Sequence, residues 1–412
     1  MTGLDARIPP GFGRDAEGRL LVAGRPAEAW VTDAGDTPLF LYDMALVRQR
    51  ITAVRAALPA GVRLHYAVKA NPMPALLRAI APLVDGFDVA SEGELAAALA
   101  AGMPAERVGF AGPGKRDREL EAAIRAGAVL SIESAGEAAR ALAIARSLGR
   151  RARVLLRVNP PFELRGSGMR MGGGARPFGV DAVDAPAVLA SMADPAFDVL
   201  GLHVFAGSQN LDARAIAEAQ AATVALAAAL APHVAGRVRF LNLGGGFGVP
   251  YFPADRPLDL AAVGDALRRT LARTPPALAE TVFAIELGRY LVAEAGVYLA
   301  RVVDRKMSAG TLFLVTDGGM HHQLAATGNL GAGVRRNYPI ANASRAGGAP
   351  EVATVVGCLC TPLDRLAEKV ELSATEVGDL IAVFMAGAYG RTASPEAFLG
   401  HPPARERLVD GG

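Results

Sequence analysis

RLHYAVKANPMPALLRAIAPLVDGFDVASEGELAAALAAGMPAERVGFAG, residues 63–112, decides the fold. Three short runs rich in β-branched and aromatic residues, 63–70, 84–90 and 107–112, are spaced by Ala/Leu-rich stretches, of which 92–102 reads as a helix. Outward from there the pattern repeats. AVLSIES (128–134), ARVLLRVN (152–159), FDVLGLHVFAG (197–207), RVRFLNLGG (237–245) and TVFAIEL (281–287) read as strands, with helices at 117–126, 134–149, 210–231 and 259–274. Strands separated by helices make parallel β/α units, because parallel neighbours need a long crossover. Eight such strands in roughly 250 residues are what closes a barrel. The expected class is α/β, a (β/α)8 TIM barrel over residues 41–288 with helix 43–57 leading into it. Strand count alone leaves an open doubly wound sheet as the alternative.

After residue 290 the pattern changes. YLVAEAGVYLARVVDRK, GTLFLVTD, EVATVVGCLC and GDLIAVFMAGAYG are strand-like with irregular connections. They predict a second β-domain, sandwich- or Greek-key-like, over 289–412. RLLVAG and TPLFLYD in residues 1–40 are expected to add strands to it.

Composition narrows the function. A chain of 412 residues exceeds one ordinary domain, and 51% hydrophobic with 20% charged residues excludes disorder and collagen-like structure. A net charge of +2 offers no basic footprint for nucleic acid. Cys358 and Cys360 cannot make a disulfide framework, and their i, i+2 spacing suits one face of a strand. The start, MTGLDARIPPGFGRDAEG, lacks a basic segment followed by an apolar run. The Ala-rich stretch 215–231 carries Glu218 and Gln220 and reads as a soluble helix, so a cytoplasmic protein without membrane partners is expected. Only four of the 43 basic residues are lysines: Lys69, Lys115, Lys306 and Lys369. Any lysine chemistry must come from these.

In a β/α barrel the chemistry sits at the carboxyl ends of the strands. Lys69 lies at the end of HYAVKANP, on the same face as His65 and Ala67, where a desolvated lysine is a candidate Schiff-base nucleophile. A surface loop lysine is the plainer alternative. Gly244-Gly245-Gly246 follows the seventh strand and bares backbone N–H groups for an oxyanion such as phosphate, or else makes a tight turn. Strand eight ends in Glu286-Leu287-Gly288-Arg289, where a carboxylate can face a protonated ring nitrogen and Arg289 a phosphate. A structural Glu/Arg pair fits equally. GSGMRMGGG (166–174) lacks Walker or Rossmann spacing and reads as a mobile loop over the mouth. His321-His322 and the two cysteines fit no common zinc spacing, so no metal is expected. A Ser-His-Asp triad stays open, but no G-x-S-x-G elbow marks its serine.

Taken in order, HYAVKANP, DVASEGEL, RVNP, GSQ, LNLGGGFGVPY, ELGRYLV, TDGG, the GxxC box at 357–360 and GAYG resemble the fold-type III pyridoxal-phosphate decarboxylases, the diaminopimelate and ornithine decarboxylase family. FAGPGK, HVFAGSQN, LVTDGGMHHQLAATGN, RRNYP and TASPEAFLGHP resemble one branch. It holds the exosortase A system-associated decarboxylases and the L-glutamyl-[acyl-carrier-protein] decarboxylases. The resemblance implies pyridoxal 5'-phosphate held by Lys69 as an internal aldimine, with Glu286 at the pyridine nitrogen. It implies a phosphate site of Gly244, Gly245, Gly246, Ser208, Gly288, Arg289 and Tyr389. Asp88, Arg157 and His203 would sit beside the cofactor. Cys360, from a partner subunit of a homodimer, would return the proton after a quinonoid has stored the electrons. Thr361, Asp364, His321 and His322 would meet the substrate.

Three positions depart from the diaminopimelate pattern. Phe205 replaces a histidine that stacks on the cofactor. Thr361 replaces an acidic residue that meets a distal amine, and Ala325 stands where an arginine clamps a distal carboxylate. Loss of both charged anchors argues for an uncharged or carrier-tethered side group, since a site built for a charge rejects ligands lacking it. Diaminopimelate decarboxylation, racemisation on the same fold, and an inactive decarboxylase-like binding protein are the alternatives. The cysteine box counts against a racemase, and retention of Lys69, Glu286 and Cys360 counts against lost activity.

Overall fold

A computed structural model describes residues 8–330 and 336–411, so Arg335 of the RRNYP box lies outside the described residues. The chain divides into two compact units, one of residues 51–249 and 256–290, the other of residues 1–50, 250–255 and 291–412.

The first unit is a closed parallel barrel. Its strands are β1 (Arg63–Ala67), β2 (Gly86–Val89), β3 (Val108–Phe110), β4 (Val129–Ile132), β5 (Ala152–Asn159), β6 (Phe197–Val204), β7 (Phe240–Gly245) and β8 (Val282–Leu287). Each pairs in parallel with the next, and β8 pairs with β1 through Glu286↔His65, which closes the ring. Closure removes the open-sheet alternative. The outer helices include α1 (Pro74–Ile80), α2 (Glu92–Ala100), α3 (Asp117–Ala126), α4 (Ala135–Ser147), α5 (Ala185–Ser191), α6 (Ala213–Leu230) and α7 (Leu260–Leu271).

Local sequence fixes where these helices start. Ser91 accepts from Glu94 N–H at 3.1 Å and Glu94 reaches back to Ala90 N–H at 2.7 Å. Ser134 and Glu137 repeat the arrangement at α4, so in SEGE and SAGE the serine caps the helix and the glutamate holds the N–H of the residue before the cap. Asp212 and Asp259 cap α6 and α7. Helix α6 with the turn after it, Ala213–His233, is long and apolar enough to cross a membrane by length and composition. Here it is a barrel helix, burying Ala215, Ile216, Val224, Ala227 and Leu230.

The second unit carries a mixed eight-stranded sheet. Its spine is β9 (Gly296–Ser308), 13 residues long, whose first half pairs with Leu39–Asp43 and with Leu380–Phe384. Its second half pairs with Thr311–Thr316. TPLFLYD therefore joins this sheet, as expected. RLLVAG does not: Leu20–Val22 forms a separate three-stranded sheet with Gly13–Arg14 and Arg25–Pro26. The segment Pro250–Asp255 also belongs to this unit, although it lies inside the stretch read as barrel.

Candidate active site

The carboxyl end of the barrel is polar inside. Glu286, on β8, is 7% exposed and accepts from Asn242 Nδ2 on β7 at 2.9 Å. Its Oε2 lies 3.3 Å from His203 Nε2 on β6, while His203 Nδ1 meets Ser131 Oγ on β4 at 3.0 Å. One line of contacts thus spans four strands. Burial alone would raise the Glu286 carboxyl, but the His203 imidazole, and then Lys69 and Arg157, hold it down at about 2. His65 on β1 faces Asp88 on β2, with 3.3 Å between Nδ1 and Oδ2.

Lys69 follows β1 in a single turn, Val68–Ala70, and is exposed rather than desolvated. Its Nζ lies 5.6 Å from the ring centre of Phe205. Lys69, Asp88, Arg157 and Glu286 line one cleft of about 300 Å³, together with the Gly112–Lys115 loop and Phe178.

The triple glycine has a steric cause. Gly244 and Gly246 have φ of +69° and +76°, a region that favours glycine. A Cβ on Gly245 would fall 1.9 Å from the Glu286 carbonyl oxygen, and one on Gly246 would fall 2.2 Å from that of Gly207. Gly288 is closed in by Ala67 and Ala70 in the same way. A cradle free of side chains, an exposed lysine amine and a buried ionised carboxylate are the groups that a phosphorylated pyridine aldehyde requires. The residues fit it.

Several details differ from the sequence reading. The 166–174 loop carries hydrogen bonds that its glycines do not announce: Met169 pairs with Ser208, and Met171 and Gly172 N–H both donate to Ala206 O. Cys358 and Cys360 lie past the strand Glu351–Val356 in a turn, not on a strand face, and both are free thiols. Cys360 is exposed. Asp364, His321 and His322, expected to meet substrate, are 2%, 0% and 1% exposed. The Asp364 carboxylate is occupied by Met320 and Leu359 N–H, at 2.6 and 2.9 Å. His322 is occupied by the Tyr298 hydroxyl and Pro402 O. Thr361 keeps partial exposure. Tyr389, at φ +52°, and Cys360 belong to the unit without the barrel.

Two buried ion pairs went unnoticed in the sequence. Arg157 Nη1 donates to Glu133 Oε1 at 2.8 Å, and Glu133 also receives Gly112 and Gly179 N–H. Burial would raise the Glu133 carboxyl, yet Arg157 and Lys115 bring it below its ordinary value. Lys115, which gave no sign of a special role, is 4% exposed. Its Nζ meets Glu137 Oε1 at 2.7 Å, Gly112 O at 2.7 Å and Ser131 O at 2.9 Å. Glu133 stands just beyond the end of β4, a position that could have flagged it, while Glu137 lies in the first turn of α4. Lys115→Met is expected to leave Glu137 buried without its cation and to destabilise the fold by about 3–5 kcal/mol. Denaturant unfolding checks it, and an unchanged midpoint would contradict this role. Lys306 and Lys369 are exposed and have no such constraint.

A barrel with a lysine at the end of its first strand, a glycine cradle free of side chains and an ionised carboxylate on the neighbouring eighth strand defines a pyridoxal-phosphate enzyme of the barrel type. Residues 44–293 match the family described as pyridoxal-dependent decarboxylase, pyridoxal binding domain. The chain is 36% identical to the L-glutamyl-[BtrI acyl-carrier protein] decarboxylase of Niallia circulans, over 93% of this chain and 91% of that one. It is 31% identical to the diaminopimelate decarboxylase of Aquifex aeolicus, over 96% and 92%. Among solved structures it resembles diaminopimelate decarboxylase from M. jannaschii in complex with L-lysine, with TM-score 0.89, 26% identity and coverage of 97% and 93%. The chain belongs to the fold-type III pyridoxal-phosphate decarboxylase family. It is a carboxy-lyase that uses pyridoxal phosphate.

Proposed function

We propose that the enzyme removes the α-carboxylate of an aminoacyl group tethered to a carrier protein. The observation that carries this reading is the pair Thr361 and Ala325, which puts no charge where diaminopimelate and basic amino acids need one. The similarity to a glutamyl-carrier decarboxylase supports it. When bound, pyridoxal phosphate supplies the ring that accepts the electron pair left as carbon dioxide departs.

The chain's own residues do the rest. Lys69 would hold the cofactor and yield it to the substrate amine. Gly244, Gly245, Gly246, Ser208, Gly288, Arg289 and Tyr389 would hold its phosphate. Glu286, ionised and braced by Asn242 and His203, would keep a proton on the ring nitrogen. Phe205, facing Lys69, would cover the ring. Asp88 and Arg157 line the same cleft and would orient the reacting groups. Cys360, an exposed thiol, would return a proton to Cα from a partner subunit, which makes the working form a homodimer. A cytoplasmic site of action suits a carrier-protein substrate. An exopolysaccharide-associated, exosortase-linked pathway rests on the sequence boxes named above.

Carbon dioxide release from glutamyl- and other aminoacyl-carrier proteins, set against free diaminopimelate, lysine, ornithine and arginine, tests the reading. Turnover of tethered substrates at least tenfold above the free amino acids is expected. Preferential release from free diaminopimelate would restore the diaminopimelate decarboxylase reading, which the relative from Aquifex aeolicus supports.

A further inference from the structure

Outside the barrel, one cluster remains that the mechanism does not use. His321, Cys358 and His401 come from three distant parts of the second unit, and one ligand atom from each lies within 4.8 Å of the others. Cys358 Sγ is 3.8 Å from His401 Nδ1 and 3.9 Å from Nε2. His321 is fully buried, and neither ring nitrogen has a hydrogen-bond partner. Its neighbour His322 shows what an ordinary core histidine does: both of its nitrogens are satisfied, by Tyr298 and Pro402. A buried imidazole with two idle nitrogens is rare without a ligand to meet it.

We propose that His321, Cys358 and His401 form a binding site for a divalent transition metal of the zinc class. Two imidazoles and one thiolate are a donor set that zinc takes, leaving a fourth position for water. Zn–N bonds of about 2.0–2.1 Å and Zn–S of about 2.3 Å put tetrahedral ligand atoms roughly 3.3–3.6 Å apart, so the widest pair must close by roughly 1.2–1.5 Å. His401 sits after Gly400 in a loop and supplies that adjustment. Burial, then His322 and His401, lower the His321 imidazole to about 3. Cys358 binds as the thiolate, releasing its proton to solvent as the sulfur–metal bond forms. With no metal, burial and the nearby Asp364 carboxylate hold that thiol up at about 11.

The role of such an ion is a staple. It would join the turn at 319–323, the turn carrying Cys358 and Cys360, and the segment before the strand Arg405–Val409. The proposal does not depend on which substrate is used.

The test is Co2+ titration of untagged, chelator-treated holoenzyme, read as a difference spectrum against the metal-free holoenzyme and by elemental analysis. One equivalent per chain with tetrahedral and thiolate-to-cobalt absorption is expected. Cys358→Ser should lose the thiolate band, and His401→Ala should weaken uptake by roughly tenfold or more. Cys360→Ser should keep both features. Absence of uptake, a band that survives Cys358→Ser, or a band lost only in Cys360→Ser would overturn the proposal. Circular dichroism checks the fold of each variant, and half-buried His401 supplies the decisive variant if Cys358→Ser does not fold.

Discussion

Lys69→Ala is expected to have no measurable steady-state decarboxylation and to lose the near-visible absorption that a lysine-bound cofactor gives the purified enzyme. The side chain is exposed at the barrel mouth, so its removal should leave stability within about 0.5 kcal/mol. Loss of function with an intact fold separates a chemical role from a structural one. Lys69→Arg should fail equally, because a guanidinium stays protonated and cannot act as the amine nucleophile. Wild-type turnover in either variant would remove Lys69 from the mechanism.

Glu286→Gln is expected to lower kcat by about 10²–10³-fold, the loss typical when one preorganised charge partner is removed. The amide keeps the shape and the contact with Asn242 but withdraws the negative charge from beside His203. Cofactor absorption should persist, since Lys69 is untouched, so the defect should fall on kcat rather than on cofactor content. A pH consequence follows from the same group. Its folded value of about 2 lies below the ordinary 4.5, so ionised Glu286 stabilises the fold fully above about pH 4.5. That stability is lost as pH falls through the folded value. Thermal unfolding of wild type should therefore drop faster than that of Glu286→Gln between pH 4.5 and 3. Parallel curves would mean that the His203 pairing does not hold the carboxyl down.

The barrel was legible because its signal is local and repeated. Each of the eight strand readings overlaps an observed strand, and Ser-x-x-Glu boxes fix the starts of two helices. Lys69, Glu286 and the glycines were legible because strand ends are few and each carries an unusual residue type. What escaped is what depends on long-range meeting. Lys115 looks like a loop residue until β4 and α4 close over it. His401 is 80 positions from His321, and no spacing rule joins them with Cys358. The 166–174 loop reads as loose by its glycines, whereas its hydrogen bonds come from Ala206, Ser208 and Gln209 in a different stretch. Pro250–Asp255 has no periodicity to say which unit it belongs to.

The placing of Leu39–Asp43 has a consequence for the order in which the chain can mature. One of its edges pairs with Gly296–Leu299 and the other with Arg405–Val409. On the ribosome, this apolar strand emerges early and waits for partners made last, while the barrel residues between them are still being completed. An unpaired apolar edge is the surface that invites association with another nascent chain. Until both neighbours have been made, each edge of Leu39–Asp43 stays open to such association.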